Sequence, residues 1–301
     1  TSHPVKKDNL VNTSKYPLNC KYYRVSMQGQ LQDKGYYPEG RLYVTKTTDE
    51  NGNESYEFKN IAGNVILKRT ICSIDEAADT YYIYDYRGNL AFVLPPNYQE
   101  EPSLDLYAYQ YKYDGQGNCT WKKLPGCEPI YMKYDLSGRM IFLQDGNLRK
   151  QGLWEFYVYD KLGRLAVQGT TASTSDVSKI HVYALYTGAG ILDGYQLNGT
   201  TITAKSLLIT NFYDDYTFIE KQNASKQSIL YLNAAQALDA AFPSNSSPKA
   251  KGFLTGKKVY TTDGTNRHEI SSMYYGLKGR VVQTHSCNLL GGSEHFYSSY
   301  N

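Results

Sequence analysis

The chain has 301 residues, with 32 Lys and Arg against 29 Asp and Glu, and its formal charge of +3 is spread without any basic run. That excludes an electrostatic footprint for nucleic acid or an anionic membrane surface, and no apolar stretch reaches the roughly 18 residues that cross a bilayer. The 31 tyrosines, against 9 Phe and 2 Trp, leave little for a thick aliphatic core and favour β-structure, because a tyrosine ring lies flat on a sheet while its hydroxyl keeps a polar partner.

In chain order, residues 1–75 show strand patterning only, an N-terminal β segment with one degenerate turn, Asn60-Ile61-Ala62-Gly63-Asn64-Val65. The opening Thr1-Ser2-His3-Pro4 has neither Met nor a signal-type apolar region. Either a leader has been removed or the chain is a piece of a longer one, and the end at Tyr300-Asn301, straight after a strand-like run, favours the piece.

Over residues 76–170 one short unit recurs. It reads Tyr84-Asp85-Tyr86-Arg87-Gly88-Asn89-Leu90, then Tyr113-Asp114-Gly115-Gln116-Gly117-Asn118. It returns as Tyr134-Asp135-Leu136-Ser137-Gly138-Arg139-Met140 and Tyr159-Asp160-Lys161-Leu162-Gly163-Arg164-Leu165. The four glycines stand 29, 21 and 25 residues apart, the length of two strands and two turns. Tyr-Asp-x-x-Gly-Arg/Asn predicts a β-hairpin turn. The aspartate accepts from the backbone N–H two residues on, and the glycine supplies the positive φ that ends a type I turn. Asp85, Gly88, Asp114, Gly117, Asp135, Gly138, Asp160 and Gly163 are therefore structural turn residues. Strand formers flank the turns, as in Tyr81-Tyr82-Ile83-Tyr84 and in Leu90-Ala91-Phe92-Val93-Leu94, which Pro95-Pro96 stops. Tyr107, Tyr109, Tyr111 and Tyr113 fall at every second position, which predicts one face of a sheet.

Residues 171–250 read as an irregular insert. Tyr213-Asp214-Asp215-Tyr216-Thr217 starts the unit but has Thr at the glycine position, so a different turn is expected. Ser175-Asp176 followed by Val177, Ile180, Ala184 and Leu185, and closed by Gly188, predicts a short helix. Ile229, Leu230, Leu232, Ala235, Leu238 and Ala241, ending at Pro243, predict a second helix over about 225–242, a lid on one sheet face. Asn245-Ser246-Ser247-Pro248 reads as an exposed loop. Residues 251–301 return to strands, with Gly279 as the turn glycine of Tyr275-Gly276-Leu277-Lys278-Gly279-Arg280-Val281. The four segments form one continuous β domain.

No catalytic motif emerges. His3, His181, His268, His285 and His295 make no metal-ligand spacing, and His285-x-Cys287 is at most half a site. There is neither a GxSxG elbow nor a phosphate-binding glycine loop. Asp85, Asp114, Asp135 and Asp160 are each explained as turn residues, which leaves Asp214-Asp215 as the acidic pair outside the pattern. No cofactor and no metal are expected. Five cysteines, Cys20, Cys72, Cys119, Cys127 and Cys287, exclude a complete disulfide framework, although Cys119 and Cys127 can pair in an oxidising compartment.

The repeats resemble the YD repeats of bacterial RHS proteins. Leu124-Pro125-Gly126-Cys127-Glu128-Pro129-Ile130-Tyr131-Met132-Lys133-Tyr134-Asp135, Gln144-Asp145-Gly146-Asn147 and Ala250-Lys251-Gly252-Phe253-Leu254-Thr255-Gly256 resemble one RHS subgroup. So do Gly279-Arg280-Val281-Val282-Gln283-Thr284 and Leu290-Gly291-Gly292. The match runs from about residue 80 to the end. The resemblance implies an all-β fold of tandem antiparallel hairpins in a long curved or spiralling sheet, part of a hollow shell, with one or two inserted helices. It further implies a secreted or cell-surface, non-catalytic scaffold whose partners are other repeats and a C-terminal segment of the same polypeptide, in some relatives a toxin. The family's self-cleaving core module, with its aspartates, has no match in this chain, so self-cleavage and toxicity are not assigned. The competing reading is a surface module that binds a glycan or a protein through Tyr107, Tyr109, Tyr111 and Tyr113.

Overall fold

A computed structural model describes residues 3–4, 16–73, 76–222, 226–232, 250–276 and 278–300. The chain divides into two compact units, Thr1–Tyr131 and Met132–Asn301. Both are built from antiparallel strands, with short helices between some of them.

In the first unit the strands are β1 (His3–Pro4), β2 (Lys21–Val25), β3 (Leu31–Tyr36), β4 (Tyr43–Thr48), β5 (Glu54–Lys59), β6 (Val65–Ile71), β7 (Ala77–Tyr84), β8 (Leu90–Leu94), β9 (Tyr109–Tyr113) and β10 (Cys119–Lys123). β11 (Ile130–Tyr134) runs across the division. β4 to β10 pair in sequence order as a meander; β1 pairs with β4, and Ile130 and Tyr131 of β11 pair with β10. The inward positions alternate as a half-buried sheet requires: Tyr56 and Phe58, then Tyr81 and Ile83, then Phe92 and Leu94 are buried in one core. β2 and β3 form a separate hairpin that lays Tyr23 against Tyr81, ring centroids 5.2 Å apart. Buried Arg69 holds the chain before β2: it pairs with both oxygens of Asp79 and donates to Pro17 O at 2.7 Å and Asn19 Oδ1 at 2.6 Å.

The second unit holds β12 (Met140–Gln144), β13 (Trp154–Tyr159), β14 (Leu165–Thr171), β15 (Tyr183–Gly190), β16 (Gly194–Asn198), β17 (Ser206–Tyr213), β18 (Leu254–Tyr260), β19 (His268–Tyr275), β20 (Val281–Cys287) and β21 (Ser293–Tyr297). The order is β12-β13-β14-β17-β18-β19-β20-β21, all antiparallel, with β15–β16 as a two-stranded sheet of its own. Phe142, Phe156, Val158, Val167, Phe212 and Phe218 are among its core side chains.

The helices are short: α1 (Pro96–Glu100), α2 (Leu104–Tyr107) and α3 (Gly146–Lys150). Pro95-Pro96 does stop β8, because a proline at the first helical position is pre-organised to start α1. The helix expected from Asp176 to Leu185 does not form. Asp176 caps a single turn by accepting from Ser178 N–H at 3.0 Å, and β15 begins at Tyr183. Val182 and Ala184 are buried on alternate positions, and pairing with β16 outweighs a weak helical period. Most of the helix expected over 225–242, and the loop at Asn245–Pro248, lie outside the described residues; of that helix, Gln227–Ile229 is one 3-10 turn. No helix among the described residues is long and apolar enough to cross a membrane.

Candidate functional site

The repeated turn is a closed hydrogen-bond unit. At Asp85 the backbone N–H donates to Asn89 O at 2.8 Å and Gly88 N–H donates to Asp85 O at 3.1 Å, while Oδ1 accepts from Arg87 and Asn89 N–H, both at 2.9 Å. Asp114, Asp135 and Asp160 repeat all four bonds. Gly88, Gly117, Gly138 and Gly163 have φ of 86°, 87°, 72° and 80°. The fifth residue of the motif has its own role, which spacing did not reveal. Asn89, Asn118, Arg139 and Arg164 each donate to Oδ2 of the aspartate four residues before them. Burial alone would raise the Asp135 carboxyl; Arg139 and the turn amides outweigh it and hold it below the usual carboxylate range. Gly279 has φ 72° and donates to Gly276 O, but Gly276 occupies the aspartate's place, so that turn has no side-chain brace.

Three further copies escaped the sequence pattern, at Ser26–Gln30, Asp49–Asn53 and Asn288–Gly292. They lack the leading tyrosine. A search for Ser, Asp or Asn three residues ahead of glycine, without the tyrosine, finds them.

At several places a tyrosine joins neighbouring repeats. The hydroxyl of Tyr113 donates to Leu90 O at 2.9 Å, the first residue after the preceding Asp85 turn. Tyr84 does the same to Val65 O (3.1 Å), Tyr213 to Leu165 O (2.9 Å), Tyr275 to Leu254 O (2.6 Å) and Tyr300 to Val281 O (2.9 Å). Arginine adds a second tie. Arg87 donates to Asp114 O at 3.0 Å and Arg139 to Asp160 O at 3.3 Å, each reaching the next turn. Arg139, Arg164 and Arg280 lie 5.7, 4.2 and 5.1 Å from the rings of Tyr159, Tyr213 and Tyr300.

The turn at Asp214 differs as expected, in a particular way. Asp214 N–H donates to Phe253 O at 3.1 Å, Phe253 N–H to Ala250 O at 2.9 Å, and Gly252 N–H to Asp214 Oδ1 at 2.6 Å, with Gly252 at φ 93°. Asp214 and Gly252-Phe253-Leu254 thus make one repeat turn split by an insertion. Asp215 accepts from Thr217 N–H at 2.9 Å just ahead of the 3-10 turn Thr217–Lys221. Arg164 takes the Asp214 carboxylate and holds it below the usual range.

Of the tyrosines proposed to bind, Tyr109, Tyr111 and Tyr113 lie on β9, whereas Tyr107 ends α2 and leaves the row. Ser103 caps that helix by accepting from Leu106 N–H, which turns residue 107 off the strand. Cys119 and Cys127 are both free thiols. His285 Nδ1 meets His295 Nδ1 at 2.6 Å and its Nε2 meets Gln283 Oε1 at 2.8 Å, so both ring nitrogens are engaged within the fold. Burial, with His295 beside it, pushes His285 down to about 4.

The first unit carries a groove that sequence reasoning missed. A cleft of about 330 Å³ runs between β2 and the turns at Asn60 and Asp85, lined by Tyr22, Arg24, Asn60, Asn64, Tyr82 and Tyr86 among others. A second cleft of about 330 Å³ shares Val25, Asp85 and Tyr86 with it and continues to Tyr111 and Tyr113. The residues of the two clefts come from β2, β6, β7, β8 and β9 and the turns beside them, so no local motif announces them.

No protein-family model matches this chain, and no curated protein matches it. Among solved structures it is similar to the crystal structure of TcdB2-TccC3-TEV, at 11% identity and a TM-score of 0.40, over 91% of this chain and 14% of that one. It is also similar to TcdB2-TccC3 (11% identity, TM-score 0.39, 91% and 15% of the two chains). The third is TcdB2-TccC3 without its hypervariable C-terminal region (14% identity, TM-score 0.37, 91% and 14%). The chain spans about one seventh of the length of the solved chains it matches.

Proposed function

We propose that this chain is a non-catalytic structural scaffold, a stretch of wall in an RHS-type repeat shell that encloses or presents a C-terminal segment of a larger exported polypeptide. The observation that carries the reading is the Tyr–carbonyl tie found at five places along the chain, where it couples a hairpin to the one before it. A lone hairpin is marginal in water, and a ladder of hairpins with inter-repeat bonds is a mechanical element. The turn carboxylates support the same reading, since each is occupied by backbone amides and by the fifth residue of its motif. Its partners are other repeats of the same polypeptide, and its setting is outside the cell or on its surface.

Limited proteolysis with mass spectrometry on the full-length polypeptide tests this. Protection of sequence beyond the repeats that vanishes when denaturant opens the repeat region is the expected result. Rapid digestion of that sequence around an intact repeat region would overturn the enclosing role.

A further inference from the structure

Asp193, at the tip of the β15–β16 hairpin, reaches a lysine of β18. Lys258 Nζ lies 2.7 Å from Asp193 Oδ1, across sixty-five residues of chain. Little water reaches the pair: Lys258 is 5% exposed and the Asp193 side chain 16%. Tyr260, two residues along on the same side of β18, donates its hydroxyl to the other carboxylate oxygen, Oδ2, at 2.6 Å. On the neighbouring strands Lys258 is paired with the buried residues Thr210 and Ile270, and the Phe212 ring centroid stands 5.9 Å from Nζ. The ring of His268 tilts against that of Tyr260, centroids 5.0 Å apart. Burial and the Lys258 charge lower the His268 imidazole, which stays neutral at pH 7 and adds no second cation.

We propose that Lys258 and Asp193 condense into an isopeptide bond that staples the β15–β16 hairpin to β18. Burial strips the hydration that keeps such a pair ionised, and the proton passes from Nζ to Oδ1 along their contact, which leaves a free amine beside a neutral carboxyl. Nζ then attacks Cγ. The negative charge that develops on Oδ2 meets the Tyr260 hydroxyl, which burial and the Asp193 charge keep protonated. Nζ gives a second proton to Oδ1, the Cγ–Oδ1 bond breaks, and one water leaves. The nitrogen keeps one hydrogen, and Oδ2 becomes the amide oxygen, still held by Tyr260. The fold supplies the proximity that makes an amine and a carboxylic acid react without activation, and no oxidant or other reactant is consumed. This bond is independent of the scaffold role.

The test is mass spectrometry of the purified 301-residue chain, denatured after incubation in the folded state. The expected chain is lighter by one water than its sequence. Its tryptic digest should contain a branched species in which residues 180–205 are joined to residues 258–267, uncleaved after Lys258. Lys258→Arg keeps the positive charge and removes the amine, so it should show its full mass. Tyr260→Phe keeps the ring and removes the donor to Oδ2, so freshly purified protein should hold a larger fraction at full mass, which falls on incubation. Asp193-Gly194 can also lose water by itself, as a succinimide closed by the Gly194 nitrogen. Water loss without the branched species, or water loss that persists in Lys258→Arg, therefore overturns the proposal. A wild-type chain that stays at full mass after prolonged incubation overturns it as well.

Discussion

Arg164 lays both arms of its guanidinium on the Asp214 carboxylate, Nη1 to Oδ1 at 3.0 Å and Nη2 to Oδ2 at 2.6 Å, across fifty residues of chain. It also holds Asp160 of its own turn, with Nε to Oδ2 at 2.6 Å. One side chain therefore closes a local turn and fixes the first residue of the split turn.

Asp214→Asn isolates that ion pair. The variant keeps an oxygen for Gly252 N–H and tolerates the positive φ of 76° at this position. Both partners are partly exposed, so screening limits the loss to about 1 kcal/mol, read as a lower urea midpoint. The difference from the unaltered chain should shrink in 1 M salt. A midpoint equal to wild type at low salt would show that the pair adds nothing.

The Tyr–carbonyl ties should each contribute about 1 kcal/mol, the net worth of an ordinary hydrogen bond. Tyr113→Phe, Tyr213→Phe and Tyr275→Phe keep the ring and remove only the hydroxyl. Because Tyr213 pairs with Leu254, whose carbonyl accepts from Tyr275, the losses of Tyr213→Phe and Tyr275→Phe should couple. Those of Tyr113→Phe and Tyr275→Phe, whose ties share no residue, should add in the double variant. Chemical denaturation of singles and double checks this, and three neutral substitutions would remove the tie as a coupling between repeats.

Two turn glycines should respond differently to substitution. At Gly163, φ is 80° and a Cβ would meet nothing within 4 Å, so Gly163→Val loses roughly 1–2 kcal/mol or more from the left-handed backbone, and Gly163→Asn loses less. At Gly279, with φ 72°, a Cβ would lie 2.8 Å from Phe253 Cζ, and Asn should give no relief there. Melting temperatures of Gly163→Asn and Gly279→Asn separate the two cases; equal losses would contradict the difference.

Acid should weaken the second unit through His285. An ordinary histidine titrates near 6.5, and here the folded value is about 4. Between those values the unfolded chain binds a proton that the folded chain refuses, so stability falls as pH drops from about 6.5 to about 4 and levels off below. The loss is of the order of 3 kcal/mol at most. The lowered carboxylates Asp135 and Asp214 lose their contribution at still lower pH, as they are protonated through their folded values. Urea midpoints at pH 7.5, 5.5 and 4.5 measure the slope, which His285→Gln should flatten.

The sequence by itself determined the all-β class and the local turn. Asp and Gly act within five residues, through one carboxylate and one left-handed glycine, so their spacing is enough to read them. Composition added the half-buried sheet that 31 tyrosines imply. What only the tertiary structure decided depends on distant residues. The hydroxyl of Tyr84 finds Val65 O because β6 and β7 pair in one register. Gly252 completes the turn of Asp214 only once β17 and β18 are side by side. Tyr183, Ala184 and Leu185 became strand because β16 offered hydrogen bonds that a helical period could not foretell. The groove beside Asn60 exists because a hairpin distant in sequence packs beside that turn. Local chemistry is encoded locally; pairing register and packing are set by the whole chain, since non-local contacts form only as other contacts already hold their partners in place.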